Sequence, residues 1–153
     1  LALHPNFPSS LMFADEVIDM QIVNQLDDAQ TMELHRLYQN EWWSQGRTLE
    51  DTIRCVNGSS IIFGFIEQGQ LIAFARVVTD YVFKAFIFDV IVAQSARGKG
   101  LGERMVETIQ AHPDLQRVKH IELYCRPDMV PFYQRYGFTT DIGDIILMRH
   151  TTC

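Results

Sequence analysis

Arg97-Gly98-Lys99-Gly100-Leu101-Gly102 sets three glycines at alternate positions among cations, immediately before a segment whose apolar residues, Leu101, Met105, Val106 and Ile109, recur at helical spacing. Such a turn is suited to holding an anion. Glycines let the backbone approach a ligand with no Cβ in the way, and the first amides of the following helix are unpaired at the positive end of its dipole. Phosphate is the expected guest. Arg97, Lys99 and Arg104 oppose only Glu103 here, a local excess of positive charge in a chain whose formal net charge is −6. The spacing argues against two common phosphate binders. A P-loop requires Ser or Thr after its Lys, where this chain has Gly100, and a dinucleotide fold requires G-x-G-x-x-G after the first strand rather than late in the chain.

The elements that must position this turn can be read from the pattern. Ala85 to Ala93 is apolar and β-branched enough for a buried strand, and it runs straight into the turn. Upstream, Val17 to Val23 reads as a first strand. Asp27 or Asp28 caps a helix carrying Leu34, Leu37, Tyr38 and Trp42 on one face and stopping at Gly46, and Thr48 opens a second helix that ends at Asn57-Gly58. Ser60 to Glu67 and Gln70 to Thr79 form a hairpin closed by Gln68-Gly69. Downstream of the glycine turn come a helix ending near Pro113, a strand His120 to Arg126, a helix Met129 to Tyr136 and a last strand Ile145 to Arg149. The predicted order is β-α-α-β-β-β-α-β-α-β, an α/β (α+β) chain with a mixed, mostly antiparallel sheet.

A second motif, Val130-Pro-Phe-Tyr-Gln-Arg-Tyr-Gly-Phe138, follows the glycine turn with one strand between them. The turn resembles the R/Q-x-x-G-x-G/A signature of the GNAT superfamily of acyl-CoA-dependent N-acyltransferases. The second motif resembles the C-terminal motif of that superfamily as it appears in serotonin N-acetyltransferases. The order of elements over residues 16 to 149 is similar to that of a single-domain GNAT fold with helices on both faces of the sheet, preceded by an extended arm, residues 1 to 15.

The resemblance implies acetyl-CoA as cosubstrate, an amine acceptor and no metal. It implies that Val90, Ile91 and Val92, the loop Arg97, Gly98, Lys99, Gly100, Leu101 and Gly102, and Phe132 hold the coenzyme, with backbone amides of Val90 and Val92 polarising the acyl carbonyl. Tyr133 matches the phenol directed at the departing thiolate; otherwise it is a tyrosine packed on an amphipathic helix. Phe86 and Phe88 occupy the positions where some relatives carry a catalytic Glu or His, so the usual base is missing. Asp89, the one acid of that strand, is the candidate for amine recognition or proton relay, against the plainer reading of an Asp paired with a basic residue. Glu122 and Arg76 are weaker candidates. Trp42 and Trp43, adjacent and so unable to share one helical face, either put one ring into an acceptor cleft with Phe86 and Phe88 or, equally, place one ring in the core and one at a surface or dimer contact.

Composition bounds these readings. The chain has 153 residues, 47% hydrophobic and 21% charged, which suits one globular domain. The acidic balance argues against nucleic-acid binding, and no apolar run approaches the ~20 residues of a membrane helix. Cys55, Cys125 and Cys153 form no C-x-x-C pair, and the N-terminal stretch has no basic start, so a reducing, cytoplasmic setting is expected. The five histidines lack metal-ligand spacing. Two rival functions remain: an acyl-CoA sensor of the same fold without turnover, favoured by the missing base, and a thiol hydrolase using Cys125. Oligomeric state is open, with room for a homodimer.

Overall fold

The computed structural model describes residues 20–153. The arm at residues 1–15 and the first residues of the expected opening strand lie outside that range. β1 (Met20–Val23), β2 (Ile61–Glu67), β3 (Gln70–Thr79), β4 (Lys84–Val92) and β5 (His120–Glu122) form one sheet in that spatial order. The first four strands are antiparallel neighbours, and β5 joins β4 in parallel. Four α-helices accompany them: α1 (Asp28–Gln39), α2 (Leu49–Asn57), α3 (Leu101–Ala111) and α4 (Val130–Gln134).

β2 is buried along nearly its whole length because both faces of the sheet are covered. Phe63, Phe65, Ala75, Val77 and Ile87 face α3, where Met105 and Ile109 complete one core. Ile62, Ile66, Phe74 and Ile91 face α1, with Leu34 and Tyr38 in the other. The period-two alternation of the strands divides their side chains between two helical layers.

Local signals set most boundaries. Asp27 caps α1 through a reciprocal box, its carboxylate accepting the Gln30 amide at 2.7 Å while the Gln30 side chain accepts the Asp27 amide at 2.9 Å. Thr48 caps α2 by accepting the Asp51 amide. The hairpin turns on Gln68 and Gly69, both with positive φ, the primed turn that suits strand twist.

Four expectations need correction. α1 stops at Gln39 rather than running to Gly46, because the Asn40 amide folds back onto the Leu37 and Tyr38 carbonyls; Trp42 and Trp43 therefore sit in turns, not on a helix. β5 covers only His120–Glu122, since β4 leaves it beyond Phe86 and a strand persists only where a ladder partner does. The Met129–Tyr136 helix is shorter, a 3₁₀ turn at Pro127–Met129 leading into α4, which closes in a Schellman turn with Phe138 donating to the Tyr133 carbonyl and Gly137 at φ +86°. The last strand is not formed: Ile145 to Arg149 has no sheet partner, and Ile146 and Met148 are 84% and 85% exposed.

Inside β2, Gly64 leaves room that Val23 and Leu26 fill. A Cβ there would lie 3.0 Å from both side chains. Gly64→Val is expected to destabilise the fold by about 1 to 3 kcal/mol through overpacking, read as a lower urea midpoint with unchanged m-value.

Candidate active site

β4 carries the main irregularity of the sheet. Phe88 pairs with Arg76 and Ile91 with Phe74, so Asp89 and Val90 together stand opposite the single residue Ala75. This two-against-one bulge holds Asp89 at φ +55°, a left-handed conformation that costs a non-glycine residue about 1 to 2 kcal/mol and that Asp tolerates better than most. Past Phe86, β4 has lost β5 on its other edge. Ala93 donates to Ile72 on β3 at 2.8 Å, so alternation turns the amides of Val92 and Val90 the opposite way, toward the gap between β4 and β5. Backbone donors that leave a ladder need another partner, and these two lie beyond the last β4–β5 pair.

The glycine turn lies at the end of the same strand. Gly98 and Gly100 adopt φ +79° and +77°, conformations that side-chain-bearing residues rarely take. Gly100 is the N-cap of α3 with no side-chain cap, and the first helical bond is Arg104 N–H to the Gly100 carbonyl, so the amides of Leu101, Gly102 and Glu103 have no partner within the helix. A cavity of about 260 Å³ opens here, lined by Val92, Ala96, Arg97, Gly98 and Gly100 to Glu103. Arg97 does not point freely into it. Its Nε donates to the Val92 carbonyl at 3.1 Å and its Nη2 meets Glu41 at 2.6 Å, so it ties the loop to the strand end and to the turn after α1. The exposed Lys99 remains a source of screened charge.

α4 closes the cradle from above. The ring tip of Phe132 lies 3.6 Å from the Cβ position of Gly102, and Arg135 meets Glu103 at 3.4 Å. Tyr133 stands edge-on to Phe132 and Phe138 with centroids 5.0 and 5.8 Å away. Burial, and secondarily the neighbouring Cys125, raises the pKa of its phenol, which therefore stays protonated at neutral pH. Desolvation, and then Asp128, likewise pushes the Cys125 thiol up, the wrong direction for a nucleophile.

Asp89 is already engaged. Its Oδ2 accepts from Arg76 Nε at 2.7 Å, Arg47 Nη1 at 2.8 Å and the Tyr38 hydroxyl at 2.9 Å, and only 7% of its side chain is exposed. Burial opposes ionisation, but the hydrogen bonds and charges of Arg47 and Arg76 outweigh it and hold the pKa below the usual carboxylate range. An anion so held is a poor base, and the paired-Asp reading of the sequence is the one the geometry meets. Glu122 pairs with Lys84 at the far end of β4.

Phe86 and Phe88 stack at 4.7 Å, and Tyr124, just beyond β5, joins them at 5.5 and 6.1 Å to make an aromatic wall beside the gap. Trp43 packs edge-on to Tyr38 at 6.3 Å with Arg47 over its ring at 5.4 Å, while Trp42, 69% exposed, reaches toward Arg126 at 5.8 Å. Neither tryptophan is in the core. Tyr38, Arg47 and Tyr124 escape sequence reasoning. Arg76 carries the one usable signal, a cation inside an otherwise apolar central strand that must find a partner. Among the described residues no group of three His, Cys, Asp or Glu side chains could hold a metal, and no helix is long and apolar enough to cross a membrane.

The same segments recur in known proteins. The sequence profile of the Acetyltransferase (GNAT) family matches residues 25–138. The uncharacterized N-acetyltransferase ycf52 of Pyropia yezoensis is 31% identical over 113 residues, 71% of this chain and 64% of that protein. The chloroplastic serotonin N-acetyltransferase 2 of Oryza sativa subsp. japonica is 41% identical over 73 residues, 48% of this chain and 36% of that protein. The chain thus spans less than two thirds of the length of either relative. A putative acetyltransferase from Xanthomonas campestris superposes with TM-score 0.75 at 30% identity, over 87% of this chain and 93% of that one. The glucosamine-6-phosphate N-acetyltransferase of Arabidopsis thaliana shares the fold at TM-score 0.69 and 20% identity, over 87% of this chain and 99% of that one. With its profile match running through the bulged strand, the glycine turn and α4, the chain belongs to the GNAT acetyltransferase family.

Proposed function

We propose that the protein transfers an acetyl group from acetyl-CoA to a primary amine, the amine attacking directly while both substrates are bound. The observation that carries this reading is the placement, on one strand, of amides turned into the β4–β5 gap and the uncapped N-terminus of α3. The cradle suits a pyrophosphate: three helix amides, two glycines at positive φ and the positive end of the dipole converge on a cavity walled by backbone. Acetyl-CoA, when bound, supplies an acyl group already activated as a thioester. The amides of Val90 and Val92 would polarise its carbonyl, and Phe132 would close the coenzyme side. Tyr133, protonated through neutral pH, has a proton to offer the departing sulfur.

The acceptor would lie against Phe86, Phe88 and Tyr124. That wall favours an amine on an apolar or aromatic body, whether a small molecule or a peptide amino group, and the similarity to a serotonin N-acetyltransferase supports it. With Asp89 held as an anion by three donors and phenylalanines at the usual base positions, the acceptor proton is proposed to leave through water. An amine of pKa ~10.4 is neutral only about 10⁻³ of the time at pH 7, so this step leaves a strong mark on the pH profile.

Three outcomes are expected. Gly100→Val should weaken acetyl-CoA binding by tenfold or more, because a β-branched residue cannot hold φ near +77° and would misdirect the amides, whereas Lys99→Ala should change it by less than about threefold. Calorimetric titration of the folded variants decides this, and unchanged affinity in Gly100→Val would remove the cradle. Tyr133→Phe should keep acetyl-CoA affinity and lower kcat by ~10², a loss that shrinks with acyl donors whose thiols are more acidic. Wild-type kcat with chemistry rate-limiting would take Tyr133 out of the mechanism. Finally, log kcat/KM for the acceptor should climb with unit slope up to the pKa of the amine itself. Two acceptors of different basicity should therefore give two different inflections, and a shared inflection would reveal a protein base. Binding of acetyl-CoA without transfer to any of a broad panel of amines would instead favour the sensor.

A further inference from the structure

Three elements that are distant in sequence converge on one carboxylate. Tyr38 comes from α1, Arg47 from the turn after it and Arg76 from β3, and all donate to Asp89 Oδ2. The recipient is the residue that carries the strained left-handed turn of the β4 bulge. Arg47 is itself anchored at both ends. Its carbonyl accepts from Gln39 Nε2 at 2.8 Å and lies 3.1 Å from His35 Nε2, and its guanidinium lies over the Tyr38 ring at 4.5 Å and the Trp43 ring at 5.4 Å. With 31% of its side chain exposed it is the most open member of the group; Arg76 is 17% exposed and Asp89 7%.

We propose that Arg47 is a positioning residue: by holding the Asp89 carboxylate it fixes the left-handed turn of the bulge, and so the direction of the Val90 and Val92 amides, and couples that direction to the Trp42–Trp43 turn. This rests on the acetyl-transfer reading for its effect on rate, but not for its effect on the amides. The physical argument is that a strained backbone conformation persists only when its surroundings over-determine it. Here a planar guanidinium offers Nη1 to Oδ2 at 2.8 Å and Nη2 to Oδ1 at 3.5 Å, restraining the carboxylate from one side while Arg76 and Tyr38 restrain it from others. Movement of the turn carrying Trp42 and Trp43 would move Arg47, and through it the peptide units that face the acyl group. The role differs from that of a base, because both oxygens of the Asp89 carboxylate are taken up by donors from Tyr38, Arg47 and Arg76.

The test uses the whole chain and two readouts. In ¹⁵N-labelled free protein, Arg47→Met should shift the amide resonances of Val90 and Val92 and leave those of Leu101 to Glu103 in place. In the transfer reaction it should lower kcat by about 10- to 100-fold, with acetyl-CoA affinity within about threefold of wild type. Asp89→Gly accepts a left-handed turn without a clamp, so Arg47→Met added to Asp89→Gly should cost less than about threefold more. Arg47→Lys, which keeps the charge but loses the fork, should recover only part of the rate and serves if Arg47→Met does not fold. Unmoved Val90 and Val92 amides overturn the proposal. So do moved amides with wild-type kcat, equal losses of kcat and acetyl-CoA affinity, or an undiminished cost in the Asp89→Gly background. If the wild-type protein transfers no acetyl group, the reading of function fails, and the amide resonances still decide the positioning role.

Discussion

Backbone donors on a central strand are ordinarily consumed by the strands on either side, and β4 escapes that constraint over half its length. Its ladder to β3 is interrupted by the Asp89–Val90 bulge, and its ladder to β5 ends at Phe86 and Glu122. Everything proposed about chemistry depends on the gap so formed. α3 must begin at the end of β4 for its amides to share the opening, α4 must fold over Gly102 to roof it, and the aromatic side chains on the near part of β4 must wall it. A backbone amide without a ladder partner must be met by water or by a ligand, and the proposed function assigns these two to the acyl carbonyl.

The bulge beside the gap is held by a carboxylate that is itself buried, with 7% of its side chain exposed. Asp89 lies among two guanidiniums and a phenol, and its low pKa reflects that arrangement rather than readiness to accept a proton. Arg97 shows the same division of labour on the coenzyme side. Although it stands in the glycine motif, its guanidinium is directed to Glu41 and the Val92 carbonyl, so in the proposed function anion binding falls mainly to peptide amides and the helix dipole. Amides are fixed donors with little entropy to lose, whereas surface cations are mobile and screened. The proposed polyanion site therefore needs no broad basic patch on an acidic chain.

Membership of the GNAT family and the order of elements from β1 through α4 were legible in the sequence because they rest on local, short-range physics. Glycine spacing marks the turn, Asp27 and Thr48 mark helix starts, and Gln68-Gly69 marks the hairpin. The errors fell where local pattern is silent about partners. Ile145 to Arg149 has an apolar run fit for a strand, and Leu123 to Arg126 reads as a continuation of β5, yet neither finds a ladder in the fold. The helix expected to reach Gly46 ends at Gln39 because backbone bonds at Asn40 close it, leaving two tryptophans in a turn.

By itself, then, the chain determined which segments could be strands and helices, where the glycine turn lies and which family pattern it follows, since each depends on neighbours within a few residues. Tertiary structure decided what Asp89 pairs with. Its sequence context, apolar on both sides, is equally that of an exposed base or a buried anchor. The difference comes from Tyr38, Arg47 and Arg76, which lie 51, 42 and 13 residues away and meet it only because β3 pairs with β4 and α1 packs on the same face. The bulge is of the same kind, a mismatch between two strands rather than a property of either, and the opening it makes exists only once the sheet has formed.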